Sequence, residues 1–270
     1  MVGLMVRKNR PLSELSRKDL SKIKLIVFDV DGVLVPRGTK IKQQGNITTL
    51  ETKRINDVLI GQIKKLNGLG FKINISSGRG LYMLQDMFRE ILPFVSLTYE
   101  NGSATWYKGK IYQHVNSFEK LKDVVRKLSV VKSKNIKGFE PKTFIVTLHC
   151  NKRVKKVEDI LLKEKELYHI WNKEAYDVGI KRIQTKAVGL NAFMKKLRIK
   201  KSNVLAIGDN YNDKEMLDVA GIAITADKSR LDGNFYVSLN GKYLPAKQLM
   251  DRILEVYQKN DGAPHTALTV

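Results

Sequence analysis

Apolar and polar residues follow one another along this chain in blocks that predict alternating strands and helices. Residues 24–28 form a mainly apolar run bounded by aspartate and glycine, which is typical of a strand buried on both faces. Thr52 can cap a helix that ends at the glycines of residues 68–70. A strand at residues 71–76 and a helix at residues 81–92 follow, and this alternation predicts a parallel α/β sheet.

The pattern changes after Asn101-Gly102. Short strands at residues 104–107 and 111–113 flank Lys108-Gly109-Lys110, a hairpin signal. Beyond them the spacing predicts α+β material as far as Ile180, with these elements: a helix at 118–131, a strand at 143–149, a helix at 154–167 and further strand-like segments.

From Lys186 onward the first pattern returns. Its predicted elements are a helix to Arg198, a strand at 204–207, a helix at 213–219, short strands at 222–224 and 235–237, and a last helix at 246–258. We therefore expect one α/β core interrupted by a smaller lid-like domain. In an open α/β sheet, ligands bind at the carboxyl ends of the strands, so the chemistry is expected there.

The predicted division of the 270 residues is an N-terminal extension at 1–22, a core at 23–104 and 182–258, a cap at 105–181 and a tail at 259–270. No apolar stretch reaches the roughly 18 residues that a membrane-spanning helix needs, and Arg7 interrupts the first apolar run too early for a secretory signal. A cytoplasmic protein without a membrane partner is the expectation. The single cysteine, Cys150, excludes an internal disulfide and a cysteine-rich zinc site and is interpreted as a buried structural thiol.

Charge adds a second consideration. The chain has 49 Lys and Arg against 27 Asp and Glu, a formal net charge of +22. Such an excess favours anionic partners, among them phosphorylated metabolites, nucleic acids and membrane surfaces. A lysine-rich solvated surface explains the same number, so the charge alone selects no function.

Two acidic groups follow predicted buried strands. The first strand runs into Asp29-Val30-Asp31-Gly32, and alternation along an extended chain lets both carboxylates project the same way. Paired carboxylates repel unless a cation or proton lies between them, and hard oxygen ligands suit Mg²⁺. The second group is Gly208-Asp209 with Asp213 four residues on, near a helix start. Ordinary turns and helix caps also use aspartate, so neither group is specific by itself.

Two further pieces lie between these groups. The second strand ends in Ser76-Ser77-Gly78-Arg79, where the Ser77 hydroxyl and free backbone N–H groups, including that of Gly78, precede a helix and suit a phosphate. Lys186 opens the helix after the inserted domain. A strand-to-helix turn and one lysine among many are uninformative separately.

Taken together in their order along the chain, these four motifs strongly resemble those of the haloacid dehalogenase superfamily of phosphotransferases. Asp29 and Asp31 match its first motif, Ser77 its second, Lys186 its third, and Asp209 with Asp213 its fourth. The insertion after Tyr99-Glu100-Asn101-Gly102-Ser103 resembles the type IIB cap subgroup, which includes Cof-like sugar phosphatases, sucrose-phosphate phosphatase, phosphomannomutase and archaeal phosphoglycolate phosphatase. The resemblance covers about residues 24–258 and implies a Rossmann-like parallel-sheet core with an α+β cap.

The resemblance also implies a mechanism. Asp29 would attack phosphorus and form an aspartyl-phosphate, while Asp31 would protonate the leaving oxygen and later deprotonate water. Ser77, Gly78 and Lys186 would bind the phosphoryl group. Mg²⁺ would be bound by Asp29, the Asp31 backbone carbonyl, Asp209 and Asp213, the last directly or through water. The implied substrate is a small phosphorylated metabolite, either a sugar phosphate or a phosphoglycolate-like monoester.

Two alternatives stay open at this point. A phosphomutase uses the same chemistry, and a basic nucleic-acid-binding protein on a phosphatase scaffold would explain the net charge through segments 152–156 and 195–201. Within the cap, Lys142, His149, Trp171 and Lys181 are candidates for contact with the leaving group, although histidine and tryptophan at such positions are more often packing residues.

Overall fold

The computed structural model describes residues 9–38, 40–44, 47–51, 53–238 and 243–261. The chain up to the end of the predicted hairpin contains these elements in order: β1 (Arg10–Pro11), α1 (Arg17–Leu20), β2 (Leu25–Phe28), β3 (Lys40–Gln44), β4 (Ile47–Glu51), α2 (Asp57–Gly68), β5 (Lys72–Ser76), α3 (Leu81–Met87), β6 (Val95–Tyr99), β7 (Ala104–Tyr107) and β8 (Lys110–Gln113). The inserted segment then contains α4 (Phe118–Ser129), β9 (Ile136–Glu140), β10 (Val146–Cys150), α5 (Lys155–Leu161), β11 (Leu167–Trp171) and β12 (Ala175–Ile180). The last part contains α6 (Lys186–Leu197), β13 (Val204–Gly208), α7 (Lys214–Val219), β14 (Ile222–Thr225), β15 (Phe235–Tyr236) and α8 (Pro245–Asp261).

A nine-stranded sheet forms the core, in the order β1-β15-β14-β13-β2-β5-β6-β7-β8. Along this sheet, the six strands β1, β15, β14, β13, β2, β5 and their neighbour β6 are all parallel to one another. The β7–β8 hairpin continues the sheet in antiparallel orientation. Apolar side chains cover both faces of this sheet: one cluster packs against α2 and α8, the other against α6 and α7. The predicted α/β fold with a parallel sheet is therefore confirmed.

The cap is a separate antiparallel sheet in the order β11-β12-β10-β9. Its apolar face packs against α4 and α5 through buried residues such as Leu121, Leu148 and Val178. The β3–β4 hairpin forms a third, two-stranded sheet. None of the helices in the described part of the chain has the length and apolar character needed to cross a bilayer.

Several boundaries differ from the sequence-based division. The 104–113 hairpin, expected in the cap, extends the core sheet because Leu97 in β6 pairs with Trp106 in β7. Part of the expected N-terminal extension also belongs to the core, since β1 pairs with β15 and the side chains of Leu15 and Leu20 are fully buried. Strand β6 was not expected at all, and α8 continues three residues into the expected tail.

The helix predicted to begin at Thr52 begins later. Thr52 lies outside the described residues, and the first helical residue is Asp57. Asn56 caps the helix, because its side-chain oxygen accepts a hydrogen bond of 3.0 Å from the backbone N–H of Leu59.

Both chain connections between core and cap meet at Ser103. The backbone N–H groups of His114 and Val115 donate to the Ser103 carbonyl at 2.8 and 3.2 Å. On the return path, the Gln184 side-chain amide donates to the Ser103 hydroxyl at 3.1 Å. The chain therefore leaves the core and re-enters it at neighbouring points.

A third contact ties the cap to the core. The carboxylate of Glu100, which is 1% exposed, accepts hydrogen bonds from the backbone N–H groups of Thr143, Phe144 and Ile145 at 2.5–3.0 Å. Glu100 directly follows β6, so one core side chain binds the backbone between β9 and β10. The carboxyl edge of the core sheet thus holds the cap in place.

Cys150 behaves in the structure as a buried thiol. It is 1% exposed on the apolar face of the cap sheet, and burial raises its pKa to about 11. Because the thiolate is the reactive form, we expect at least about 100-fold slower modification by a disulfide reagent at pH 8 in the native protein than in the unfolded chain. Absorbance assays with and without guanidinium measure both rates. Complete reaction of the native protein within minutes would contradict this assignment.

Candidate active site

Four of the predicted site residues meet at the carboxyl edge of the core sheet. Strands β2 and β13 are parallel neighbours, with Phe28 opposite Ile207, so Asp29 and Asp209 leave the sheet side by side. The ligand atoms of Asp29, Asp209 and Asp213 all lie within 4.8 Å of one another. All three side chains are buried.

Lys186 lies at the centre of this cluster. Its ammonium donates to Asp29 Oδ1 and to Asp213 Oδ1, both at 2.5 Å. The side chain is 1% exposed because α6 begins at Lys186, directly against the core. Burial alone would lower the pKa of Lys186, but the charges of Asp213 and Asp29 outweigh burial and raise it. The ammonium therefore stays charged and neutralises part of the acidic cluster.

Close backbone packing positions the start of α6. Gly102 has a φ of +82°. A Cβ on it would collide with the carbonyl oxygen of Thr185, which is the N-cap residue of α6. Gly189, on the first turn of α6, faces Gly102 so closely that a Cβ there would also clash. The glycines let the turn after β6 and the first turn of α6 touch, and this contact fixes where the Lys186 side chain enters the site.

Asp213 orients the loop that carries Asp209. Its Oδ2 accepts hydrogen bonds from the backbone N–H groups of Asp209 and Asn210 at 3.0 and 3.1 Å. One carboxylate therefore binds the loop through one oxygen and Lys186 through the other. This arrangement explains the four-residue spacing of the two aspartates.

Burial dominates the electrostatics of Asp29. Desolvation, followed by the negative charge of Asp213, raises the pKa of Asp29 to about 8 despite the adjacent Lys186 ammonium. Burial also raises the pKa of Asp209, although the Arg37 guanidinium acts in the opposite direction. The three carboxylates therefore share one buried ammonium and one half-exposed guanidinium, and a bound cation would stabilise their ionised forms.

Two arginines in the site were given no role from the sequence. Arg37, half exposed in the loop before β3, donates from its guanidinium to Asp209 Oδ2, with its Nε 3.1 Å from that oxygen. Arg79 is buried and forms a bidentate pair with Asp31 at 2.8 and 2.6 Å. Arg79 stands in the quoted Ser-Gly-Arg segment, so its position was the available signal, whereas nothing in the sequence pattern singles out Arg37.

The predicted phosphate-binding turn follows β5. Ser77 is 2% exposed, its hydroxyl accepts from the backbone N–H of Arg79 at 3.2 Å, and its carbonyl accepts from Asn101 at 3.0 Å. Gly78 packs so tightly that a Cβ would lie 3.0 Å from Asn101 Oδ1. Asp31 lies apart from the three-carboxylate cluster, at the Arg79 guanidinium. The structure thus brings the predicted residues to one edge of the sheet, while their individual roles stay predictions.

The polar face of the cap sheet faces this edge. Tyr168 on β11 accepts a hydrogen bond of 3.0 Å from the Asn101 side chain in the core. On the same face, Thr147 pairs across the sheet with Glu140 and with Asp177. Glu140 lies close enough to Arg79 for its charge to help raise the pKa of that guanidinium, against the lowering effect of burial.

We call Glu140, Lys142, Thr147, His149 and Asp177 the cap polar cluster. Lys142 Nζ is 2.7 Å from Thr147 Oγ1 and 3.2 Å from Glu140 Oε1, and His149 Nε2 is 2.9 Å from Glu140 Oε2. Burial would raise the pKa of Glu140, but the Lys142 charge and the His149 hydrogen bond lower it below its usual value. Of the predicted cap candidates, Lys142 and His149 belong to this cluster.

The other two cap candidates do not. The Trp171 ring stacks against Tyr176 at 4.7 Å within the apolar layer of the cap, on the side of α4 and α5. Lys181 is exposed and donates to the Lys165 carbonyl at 2.8 Å. Trp171 is thus a packing residue, the more common case for tryptophan, because strand alternation turns it to the face opposite the cap polar cluster.

The chain is similar in sequence to known hydrolases. A family model described as haloacid dehalogenase-like hydrolase matches residues 26–136 and 122–230. Phosphoglycolate phosphatase 1 of Saccharolobus solfataricus is 24% identical over 247 residues, covering 86% of this chain and 96% of that protein.

Solved structures agree with the fold. A phosphatase of the haloalkanoate superfamily, BT1666 from Bacteroides thetaiotaomicron, has a TM-score of 0.65 and 18% identity, covering 91% of this chain and 99% of that one. The subclass IIB sugar phosphatase BT4131 has a TM-score of 0.59 and 20% identity, covering 88% and 99%. At these identities the structures show a shared fold. Because the matched ranges together span residues 26–230, most of the core and all of the cap, this chain belongs to the haloacid dehalogenase-like hydrolases.

Proposed function

We propose that the chain is a Mg²⁺-dependent phosphatase that hydrolyses a small phosphorylated metabolite through an aspartyl-phosphate on Asp29. The observation that carries this proposal is the buried contact of Lys186 with Asp29 and Asp213, beside Asp209 at the carboxyl edge of the sheet. The named activities of the similar phosphatases from Saccharolobus solfataricus and of subclass IIB support a phosphoric monoester as the substrate.

The acidic cluster fits a magnesium ion. Asp29, Asp209 and Asp213 offer three carboxylate oxygens within 4.8 Å of one another, and the buried Asp209 Oδ1 has no hydrogen-bond partner among the described residues. Hard oxygen ligands and a small ligand set left open for phosphate oxygens are what Mg²⁺ prefers. Together with the Asp31 backbone carbonyl, these residues would hold the ion. When bound, it would screen the phosphate oxygens from the Asp29 carboxylate.

In the first step, a carboxylate oxygen of Asp29 attacks phosphorus. The bond between phosphorus and the leaving oxygen breaks as the aspartyl-phosphate bond forms, and Asp31 gives its proton to the leaving oxygen. Lys186 holds Asp29 through a hydrogen bond of 2.5 Å and compensates the charge gathered around phosphorus. The Ser77 hydroxyl and the Gly78 backbone N–H donate to phosphoryl oxygens.

In the second step, Asp31 acts as a base. Its carboxylate takes a proton from water as the water oxygen attacks phosphorus, the aspartyl-phosphate bond breaks, and inorganic phosphate leaves. Arg79 supports this role, because its two hydrogen bonds orient the Asp31 carboxylate.

The cap polar cluster supports a hydroxylated leaving group. It combines the carboxylates of Glu140 and Asp177 with the single ammonium of Lys142, so its carboxylates outnumber its ammonium. Glu140 Oε1 is buried and forms an ion pair of 3.2 Å with Lys142 Nζ, and a carboxylate oxygen can accept a second hydrogen bond. A sugar hydroxyl can donate to such an oxygen, whereas a carboxylate, as in phosphoglycolate, would be repelled. We therefore assign a sugar phosphate as the preferred substrate.

A phosphate-release screen tests the activity itself. Sugar phosphates, phosphoglycolate and p-nitrophenyl phosphate are incubated with the full chain, with Mg²⁺ or with EDTA. We expect free phosphate to accumulate only with Mg²⁺. Turnover of sugar phosphates without free phosphate would indicate a mutase, and equal activity in EDTA would contradict the metal assignment.

Glu140→Gln tests the substrate preference. We expect kcat/KM on the best sugar phosphate to fall about 10–100-fold, because a charged hydrogen-bond acceptor is lost, while p-nitrophenyl phosphate is hydrolysed as before. The relative rate on phosphoglycolate should rise, since the repelling charge is gone. Steady-state kinetics on the three substrates measure both effects.

Glu166→Gln is the matched control, since Glu166 is an exposed cap carboxylate paired with Lys120. It should leave all three rates unchanged. If Glu140→Gln lowers the three rates equally, Glu140 has a structural role and the substrate assignment is wrong, although phosphatase activity itself would stand.

A further inference from the structure

The edge of the core sheet opposite the candidate active site collects positive charge. Here β2, β5 and β13 begin, and the residues before them are bonded to one another. The backbone N–H of Lys24 donates to the Asn203 carbonyl at 2.8 Å, and that of Lys72 donates to the Lys24 carbonyl at 2.8 Å. The Asn203 side chain donates to the Lys22 carbonyl, also at 2.8 Å. Three segments distant in sequence therefore form one continuous surface.

Six cations on this surface define what we call the basic edge: Lys22, Lys24, Lys72, Arg198, Lys200 and Lys201. All six side chains are exposed. None of them forms an ion pair within 4.0 Å with a carboxylate of the described residues. The segments that supply them, residues 20–25, 64–72 and 195–204, contain no aspartate or glutamate.

Several surface lysines of the cap are paired with carboxylates. On the cap, Lys120 pairs with Glu166 at 2.6 Å, Lys127 with Glu164 at 2.6 Å and Lys155 with Asp159 at 2.9 Å. The basic cap segment at 152–156 is thus partly neutralised by its neighbours. Other cap lysines, such as Lys132, Lys134 and Lys163, also have no ion pair within the described residues, so what distinguishes the basic edge is that three segments without an acidic residue meet there.

The dipoles of nearby helices explain only some of the positive charge at this edge of the sheet. Cations in the last turn of a helix are stabilised by its dipole, which accounts for Lys65 in α2 and for Lys195 and Lys196 in α6. Lys22 and Lys24 instead precede β2, and Lys72 is the first residue of β5; the net dipoles of strands are small. Like charges held together on a sheet edge repel one another, and only an external anion compensates that cost.

We infer that the basic edge binds the phosphate backbone of a nucleic acid. Adjacent strands lie about 4.8 Å apart, so the starts of β13, β2 and β5 spread these cations over about 10 Å. Duplex nucleic acid has one negative charge per about 1.7 Å of its axis, so such a span meets several phosphates. A lipid surface fits less well, because Leu69 is the only exposed large hydrophobic residue within the three described segments that supply these cations.

Binding at this edge leaves the candidate active site open. Asp29 follows β2 at its carboxyl end, whereas Lys24 precedes the same strand, so the strand itself separates the two surfaces. Phosphatase activity and nucleic-acid binding are therefore independent properties of the chain. The inference does not rest on the proposed function, and each can fail alone.

Fluorescence anisotropy of the full chain with labelled 30-nucleotide single-stranded RNA and a 30-base-pair duplex tests the inference. We expect binding at 50 mM KCl that weakens steeply towards 200 mM. The variant K24Q/K72Q/R198Q/K200Q/K201Q should bind at least tenfold more weakly. Its plot of log affinity against log salt should be shallower by about 0.7–0.9 for each lost phosphate contact. Phosphate release should be unchanged.

The control variant K120Q/K127Q/K155Q removes paired cap lysines and should bind as the wild type does. Acetylation of lysines in the wild-type chain, read by mass spectrometry with and without RNA, provides a second measurement that needs no substitution, and Lys24, Lys72, Lys200 and Lys201 should be protected. No binding at 50 mM KCl, equal affinity of the basic-edge variant, or binding only to phosphatidylserine vesicles would overturn the inference.

Discussion

Replacing Asp29 with asparagine is expected to abolish phosphate release, with a loss in kcat on the order of 10⁴-fold or more. The amide cannot form the aspartyl-phosphate, and the oxyanion that faces phosphorus is lost. Rapid quenching of the wild type with ³²P-labelled substrate should trap acid-stable, hydroxylamine-sensitive label on the protein. The variant should show none.

Stability provides the check on this result. Burial raises the pKa of Asp29 to about 8, so ionisation of this side chain in the folded protein is unfavourable, and its neutral replacement should not lower the melting temperature. Asp123→Asn, which removes an exposed cap carboxylate, is the matched control and should retain full activity. Wild-type turnover in Asp29→Asn would refute the nucleophile assignment.

Replacing Lys186 with methionine is expected to remove activity and to destabilise the fold. The ammonium is buried against two carboxylates, and removal of one partner from a buried ion-pair network costs about 3–5 kcal/mol. For a domain of this size, that loss corresponds to a decrease in melting temperature of about 6–20 °C. Calorimetry of the metal-free protein measures it.

The pH dependence of this loss distinguishes electrostatics from packing. An acid whose pKa is raised in the folded state makes stability fall as pH rises from its unfolded to its folded pKa. In the wild type this fall ends near pH 8 for Asp29, whereas in Lys186→Met the pKa is higher and the fall continues. The loss in the free energy of unfolding relative to the wild type should therefore grow above pH 8 in Lys186→Met. Lys195→Met, on the exposed side of α6, should show no such loss. A deficit that does not change with pH would indicate lost packing alone.

The site was more predictable from sequence than the domain boundaries. Asp29 and Asp209 each follow an apolar strand, and because parallel strands end at one edge, a linear pattern is enough to bring them together. Lys186 was recognisable only by its order relative to the other motifs. No pattern indicated that it lies between two carboxylates, since that depends on the contact of Gly102 with Gly189.

Strand β6 shows why part of the fold was missed. Its sequence contains Ser96 and Thr98 and follows a segment with Pro93, so it does not have the apolar character of a buried strand. The strand is nevertheless buried, because Asn74 on β5 donates to both hydroxyl oxygens at 2.9 and 3.0 Å. This compensation comes from another strand and is invisible in the local pattern. For the same reason, the 104–113 hairpin could not be assigned to the core without its partner β6.

The meeting of both chain crossings at Ser103 has a consequence for how such a protein can diversify. Since His114, Val115 and Gln184 all contact this one residue, the two ends of the intervening segment already lie together. A different recognition module could be spliced in there without rerouting the remaining chain. Variation in what is recognised can therefore proceed while the phosphate chemistry stays intact.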